Sequence, residues 1–212
     1  MPDIETARSW YRSADVVHDF DHVLRVYHMA ERLARAEGAD MEIVRAAALL
    51  HDAEGAAPGP DSARETHQHA SAEFAARVLE QEGWKPERIA AVQHCIRSHR
   101  YRDQSEAPHT IEAKVLFDAD KLDVLGAIGV ARTIAYAALD GQPFYAPPSV
   151  QFMQSGIEEP GEPHSSYHEH LFKLRKVRER MYTPAARAIA AERLSYLEAY
   201  FERLIDEWEG KR

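Results

Sequence analysis

Apolar side chains recur at three- and four-residue steps along most of the chain, a spacing typical of amphipathic helices. One such stretch covers residues 15–37 and ends at Gly38, and the next covers about 41–52 behind Asp40, a suitable N-cap. The alternating pattern that would indicate a strand never extends beyond four residues. The sequence therefore predicts an all-α fold, with further helices over 67–82, 86–99, 111–139, 166–181 and 184–208.

Three segments lack helical spacing and are predicted to be irregular. Residues 53–64 are rich in Gly and Pro, and residues 101–109 are polar. Residues 140–164 carry repeated Pro and Gly over a length that is typical of functional or mobile loops. Inside the helical pattern, Gly126 and Gly129 indicate close helix packing or a bend.

The length of the chain predicts its domain organisation. A chain of 212 residues fits one domain with a sizeable core, and its 45% hydrophobic and 29% charged residues are ordinary for a globular protein. We expect a single domain over residues 1–212, with a core at about 15–140. The irregular segment then joins this core to C-terminal helices, at about 165–209, that pack on it.

One apolar helix leads directly into two metal-binding side chains. Residues 46–50 are Ala or Leu, and His51 and Asp52 follow them. Burying such a pair costs free energy unless something compensates it, and a divalent cation binds neutral imidazole and carboxylate together. A His-Asp dipeptide is a short motif that also arises by chance, and we interpret the second one, His18-Asp19, in this way.

Two further residues lie in informative contexts, His22 in "DHVLRVYHMAERLA" and Asp120 in "VLFDADKLDVLGAIGVAR". With "AAALLHD" and "AERLSYLEAYFERLIDEWEG", these segments resemble the HD-domain superfamily of metal-dependent phosphohydrolases, in particular its small stand-alone bacterial and archaeal members. The similarity covers most of residues 15–209. It implies an HD-domain helical bundle in which His22, His51, Asp52 and Asp120 bind a metal.

The choice of Asp120 follows from the resemblance, because the superfamily's ligand is the Asp of an "AD(K/R)L" motif. Asp118 and Asp123 then become supporting or surface groups, and a register in which one of them takes this place is the alternative. Two imidazoles and two carboxylates suit Mn²⁺, Fe²⁺, Co²⁺, Ni²⁺ or Mg²⁺ better than a thiolate-preferring ion. We expect one such ion, which would hold a phosphate oxygen and lower the pKa of a water molecule that attacks phosphorus.

The helper residues are less strongly indicated. Glu54 could orient that water or take its proton, but it stands two residues after Asp52, where relatives with such an acid commonly have three, and a solvated loop residue is the alternative. Lys121 adjoins a ligand and could bind a phosphoryl oxygen as a point charge. Arg97 and Arg100 lie near one helix end, where they could bind the substrate.

His67 and His99 resemble positions that bind a second metal in dinuclear branches of the superfamily. With a single ion, they would instead act in catalysis, as donors to phosphate oxygens or as a proton source. The sequence leaves a second metal open. A single His on a helix is also often structural, which is the alternative for both.

The resemblance implies a hydrolase of a small phosphorylated metabolite, and it favours a nucleotide, with a phosphomonoester or pyrophosphate bond cleaved. Two alternatives remain. A dinuclear iron oxygenase would need both His67 and His99 as ligands. A non-catalytic module that senses nucleotides would need the pocket but not the metal ligands.

Charge and composition narrow the partners. The net charge of −9 disfavours nonspecific binding to nucleic acid, which depends on Lys and Arg. The sequence contains no run of about 18 apolar residues, so it predicts no membrane span. The N-terminus has no secretion-signal pattern. Cys95 is the one cysteine, which suits a reducing compartment. We therefore expect a cytoplasmic protein without membrane or nucleic-acid partners, and leave a homodimer open.

Overall fold

The computed structural model of the chain describes residues 1–11, 20–54, 61–100 and 106–212, and for 61–66 it describes the helical backbone only. These residues contain α-helices, one 3₁₀-helix and no strand, which confirms the all-α prediction. The α-helices are α1 (Ile4–Arg8), α2 (Phe20–Glu37), α3 (Met41–Leu50), α4 (Asp61–Gln81), α5 (Pro86–Arg97), α6 (Ile111–Leu122), α7 (Gly126–Leu139), α8 (Val150–Ser155), α9 (Ser166–Phe172) and α10 (Pro184–Trp208), with the 3₁₀-helix at Leu174–Arg180.

The sequence predicted one helix over 111–139, and the structure divides it into α6 and α7. Gly126 begins α7 with φ of +70°, a left-handed conformation that residues with a Cβ rarely adopt. Gly129 is required by a close approach, because a Cβ there would lie 2.2 Å from the backbone oxygen of Val124. Close packing or a bend at these glycines was predicted. The prediction of one continuous helix is corrected, because α6 ends at Leu122.

Other predicted boundaries also change. The loop predicted over 53–64 is shorter because α4 already begins at Asp61, and residues 55–60 lie outside the described residues. Part of 101–109 lies outside them too, as do residues 12–19 with the second His-Asp dipeptide. The segment 140–164 is not wholly irregular, since it contains α8. The helix predicted over 166–181 consists of α9 followed by the 3₁₀-helix.

The chain forms two compact units, which are described separately. One contains Met1–Lys121 and Met181–Ala186, and the other contains Leu122–Arg180 and Arg187–Arg212. The expectation of a single domain over the whole chain stays a prediction.

In the first unit, α3 is the central helix and packs against α1, α2, α4 and α5. Its residues 46–50 are at most 1% exposed, so the apolar run is buried on all sides, as the sequence predicted. Asp40 caps the helix by accepting hydrogen bonds from the N–H groups of Glu42 and Ile43, and Arg88 binds the same carboxylate. This burial and capping fix the direction in which the C-terminal end of α3 presents its side chains.

In the second unit, Glu162 organises the chain between α7 and α9. Its carboxylate accepts hydrogen bonds from the N–H and hydroxyl of Ser149 and from the N–H of Glu159, and it contacts His168. Burial alone would raise its pKa, but these donors lower it to about 2. Ser149 in turn caps α8, so the segment predicted as irregular has an internal hydrogen-bonded structure.

Among the described residues, no single helix combines the length and apolar character needed to cross a membrane. Helices α6 and α7 meet that test only when taken together as a bent pair, by length and composition.

Candidate metal centre

Three helices bring imidazole and carboxylate groups together at the C-terminal end of α3. His22 of α2 has its Nε2 atom 3.4 Å from Asp120 Oδ1, on α6, and 3.9 Å from Asp52 Oδ2. His51 Nε2 lies 3.5 Å from Asp52 Oδ2. The ligand atoms of His22, His51 and Asp52 all lie within 4.8 Å of one another, a grouping that could hold a metal ion. The four predicted ligands are therefore neighbours in the structure.

The second carboxylate oxygen of Asp52 faces another pair of histidines. His67 Nε2, from α4, lies 3.3 Å from Asp52 Oδ1, and His99 Nε2, just beyond α5, lies 3.4 Å from the same atom. These three residues form a second group that could hold a metal ion. Asp52 is thus shared between two groups, one on each of its oxygens.

Backbone carbonyls orient two of the rings. His51 Nδ1 lies 2.8 Å from the backbone oxygen of Ala48, and His99 Nδ1 lies 2.6 Å from that of Ile96. A carbonyl oxygen only accepts, so each Nδ1 carries the proton and donates. Each Nε2 is thereby directed toward Asp52, as in metal sites where a hydrogen bond to the other ring nitrogen fixes the ligand.

The electrostatics of the group suit a cation. Burial lowers the pKa of His51 to about 4, so its Nε2 carries a lone pair near neutrality. Burial acts to raise the pKa of Asp52, but the imidazoles of His51, His67 and His99 hold it well below its usual value. Among the described residues, His51 Nε2 is buried and has no hydrogen-bond partner. A lone pair that faces a carboxylate at this depth is unfavourable unless a cation lies between them, so the donor set fits a divalent metal.

The predicted substrate-binding residues differ in their surroundings. Lys121 pairs through Nζ with Asp120 Oδ2 and lies 5.6 Å from the centre of the Phe117 ring. Burial acts to raise the pKa of Asp120, but this pairing and the contact with His22 hold the pKa well below its usual value. Lys121 therefore occupies one carboxylate oxygen and leaves the other facing His22.

Arg97 has a carboxylate partner, and its predicted role in substrate binding stays a prediction. Its guanidinium binds both oxygens of Glu106, which also contacts His94 Nδ1 at 2.5 Å, and this interaction explains Arg97 without a substrate. Arg100 is partly exposed directly after His99, and its predicted role stays a prediction. Glu54 has an exposed side chain at the end of the turn 51–54, and its role also stays a prediction.

Two residues near the group, Tyr11 and Ser71, escaped sequence reasoning, and a third, Asp118, was predicted only as a supporting or surface group without named partners. Asp118 is fully buried and accepts hydrogen bonds from the N–H of Tyr182 and from the N–H and hydroxyl of Thr183. Tyr11 binds the backbone of Leu49, just before the 51–54 turn, and Ser71 binds the backbone of Glu54, its last residue. Each contact joins segments far apart in the chain, so no local pattern reveals it.

Other histidines serve the structure. His168 is buried, with Nδ1 2.7 Å from Ser165 Oγ and Nε2 3.1 Å from Glu162. His170 stacks on Phe201, with ring centres 4.8 Å apart. These contacts lie in the second unit and explain the two histidines without a ligand.

The fold and the group of ligands together define an all-α protein with a His/Asp group that could hold a metal ion. The family model of the HD domain matches residues 19–125, about half of the chain, and the chain belongs to this family. All four predicted ligands lie within the matched residues.

Known proteins are similar to the chain over nearly its whole length. The uncharacterised protein YpgQ of Bacillus subtilis is 30% identical over 210 residues, which cover 94% of this chain and 91% of the relative. The crystal structure of YpgQ in complex with ADP has a TM-score of 0.73 and covers 97% of both chains at 30% identity. An HD-superfamily hydrolase from Bacillus thuringiensis has a TM-score of 0.71 at 30% identity, with 97% and 96% covered.

Proposed function

We propose that the chain is a metal-dependent phosphohydrolase that acts on a small phosphorylated metabolite, and that this metabolite is a nucleotide. The observation that carries the proposal is the convergence of His22, His51, Asp52 and Asp120, with a buried His51 Nε2 directed at a carboxylate. Membership of a family with hydrolase relatives supports the reaction class. The relative crystallised with ADP supports a nucleotide as the substrate.

The proposed ligands and helpers have distinct tasks. A divalent ion held by the four ligands supplies Lewis acidity and lowers the pKa of water. Ala48 keeps the proton of His51 on Nδ1, so that Nε2 remains a donor atom. Lys121 pairs with one carboxylate oxygen of Asp120 and balances its charge. We assign to His67 and His99 the donation of hydrogen bonds to phosphate oxygens or of a proton to the leaving group, which His99 can perform through Nε2 only as an imidazolium, because its Nδ1 proton is bound to the Ile96 oxygen.

One experiment can identify the substrate and the bond that is cleaved. The protein is stripped with a chelator, reloaded with Mn²⁺, and incubated with nucleoside mono-, di- and triphosphates and with non-nucleotide phosphate esters. Chromatography of the products separates release of phosphate from release of pyrophosphate. We expect turnover of at least one nucleotide in the metal-loaded protein and none in the stripped protein or in His51→Ala. Turnover that is equal with and without metal would refute the proposal.

A dinuclear iron oxygenase is the second candidate, and one observation favours it. His67 and His99 both face Asp52 Oδ1, so the structure brings together the residues that a second ion would need. We retain the prediction of one tightly held ion. Oxygen consumption that depends on Fe²⁺, with about two irons per chain, would favour the oxygenase instead.

A further inference from the structure

The turn formed by residues 51–54 carries two of the four proposed ligands. It follows the last turn of α3, where a helix has backbone carbonyl groups without partners inside the helix. Such an end frays unless other groups bind these carbonyls. The structure supplies a distant partner for one of these carbonyls and a second distant partner for the last residue of the turn.

The first partner is Tyr11, which acts before the turn. Its hydroxyl donates a hydrogen bond of 2.9 Å to the backbone oxygen of Leu49, a residue 38 positions away. Its ring packs against Phe20, with centres 5.5 Å apart. A phenol is protonated near neutrality and a carbonyl oxygen only accepts, so the hydroxyl is the donor.

The second partner is Ser71, which binds the last residue of the turn. Its fully buried hydroxyl accepts a hydrogen bond from the N–H of Glu54 at 3.1 Å and donates one to the oxygen of Glu54 at 3.0 Å. A hydroxyl has one proton and free lone pairs, so both bonds form at once. Ser71 lies four residues after His67 on α4 and shares its face. The far end of the turn is therefore tied to the helix that carries His67.

We propose that Tyr11 and Ser71 are positioning residues that hold the 51–54 turn at its two ends in the geometry required for metal binding. This inference rests on the proposed metal-dependent function. Metal–ligand distances tolerate only about 0.2 Å of displacement, and groups that orient ligands without touching the metal typically change metal affinity about 10- to 100-fold when removed. Both residues bind the backbone, and neither has a proposed contact with the substrate.

The test uses two variants and two matched controls. Tyr11→Phe and Ser71→Ala each remove one hydroxyl and keep most of the side chain. Tyr27→Phe removes a buried phenol that binds Glu31, and Ser166→Ala removes a buried hydroxyl that donates to the Thr133 oxygen in the second unit. For each full-length protein, Co²⁺ is titrated in competition with a chelator, the visible spectrum of the bound Co²⁺ is recorded, and the melting temperature of the metal-free protein is measured.

We expect Tyr11→Phe and Ser71→Ala to weaken Co²⁺ binding about tenfold and to change the visible spectrum, while both controls bind as the wild type does. A purely structural role would lower the melting temperature without altering affinity or spectrum, and that result overturns the inference. Circular dichroism identifies the folded variants. The Co²⁺ affinity and spectrum of each folded variant test whether the replaced residue has the positioning role. A wild type that binds no Co²⁺ refutes the proposed function as well, whereas a wild type that binds it beside unaltered variants refutes only the positioning role.

Discussion

The carboxylate of Asp118 accepts two hydrogen bonds from Thr183, one from the backbone N–H and one from the hydroxyl, both at 2.7 Å. Its other oxygen accepts a bond from the N–H of Tyr182. Asp118 thus binds the segment that precedes α10, whereas Asp120, two residues later, faces His22. The two carboxylates of one helical turn have different partners, which bears on the predicted choice between them.

Replacing Asp118 is expected to affect stability and not metal binding. Asp118→Ala leaves three donors without their buried acceptor, so the free energy of unfolding should fall by about 2–4 kcal/mol. Urea unfolding measures the loss, and elemental analysis should find the wild-type metal content in the folded variant. Metal lost from folded Asp118→Ala, but retained in Asp120→Asn, would favour the alternative register.

Replacing a proposed ligand is expected to abolish metal-dependent hydrolysis. His22→Ala and His51→Ala each remove one of four donors and leave a buried carboxylate uncompensated. His28→Ala is the matched control, because His28 is an exposed residue of the same helix as His22. Turnover is measured at saturating Mn²⁺. Ligand variants that keep more than about a tenth of wild-type kcat would contradict the assignment.

Metal should stabilise the fold. The proposed ligands come from segments far apart in the chain, so they form a site only in the native state. Mn²⁺ at a hundred times its dissociation constant adds about 2.7 kcal/mol, which corresponds to a rise of about 5–10 °C in melting temperature for a chain of this size. Differential scanning calorimetry with chelator and with Mn²⁺ measures the rise. The same rise in His51→Ala would show that the ion binds elsewhere.

The number of ions distinguishes the two candidate functions. With one ion, His99→Ala should retain about one metal per chain and lose roughly a hundredfold in turnover, as expected for an acid–base group. With two ions, the same change removes a ligand, and the metal content should fall from two to one. Elemental analysis after gel filtration in metal-free buffer separates the cases. A wild-type content near two would contradict our prediction of one.

The stability of the second unit should depend on pH through His170. Burial, with a contribution from Arg175, lowers its pKa to about 4, whereas the unfolded side chain titrates near 6.5. The unfolded state therefore binds the proton first, so stability is complete above pH 6.5 and falls as the pH drops toward 4. We expect His170→Phe to have a smaller loss than wild type between pH 7 and 4.5 in urea unfolding. The control His69→Gln, at an exposed residue of α4, should match the wild type.

The helices follow from local patterns where those patterns are strong. The apolar run at residues 46–50, the cap at Asp40 and the proline at the start of α10 place these elements within a few residues, because burial and capping depend on neighbours in sequence. The sequence predicted close packing or a bend at Gly126 and Gly129 but not that α6 ends at Leu122, since the position of the break depends on how closely these glycines approach Arg193 and Val124.

The sequence by itself determined the all-α class, the HD family and the identity of the four candidate ligands, because periodicity and motifs are local and survive in a linear chain. Only the tertiary structure decided that Asp52 faces two histidine groups, that Arg97 is bound by Glu106, and that Tyr11 and Ser71 bind the backbone of Leu49 and Glu54. These relationships depend on the directions of side chains from separate helices. Their distances are set by how the helices pack, which no short stretch of sequence specifies.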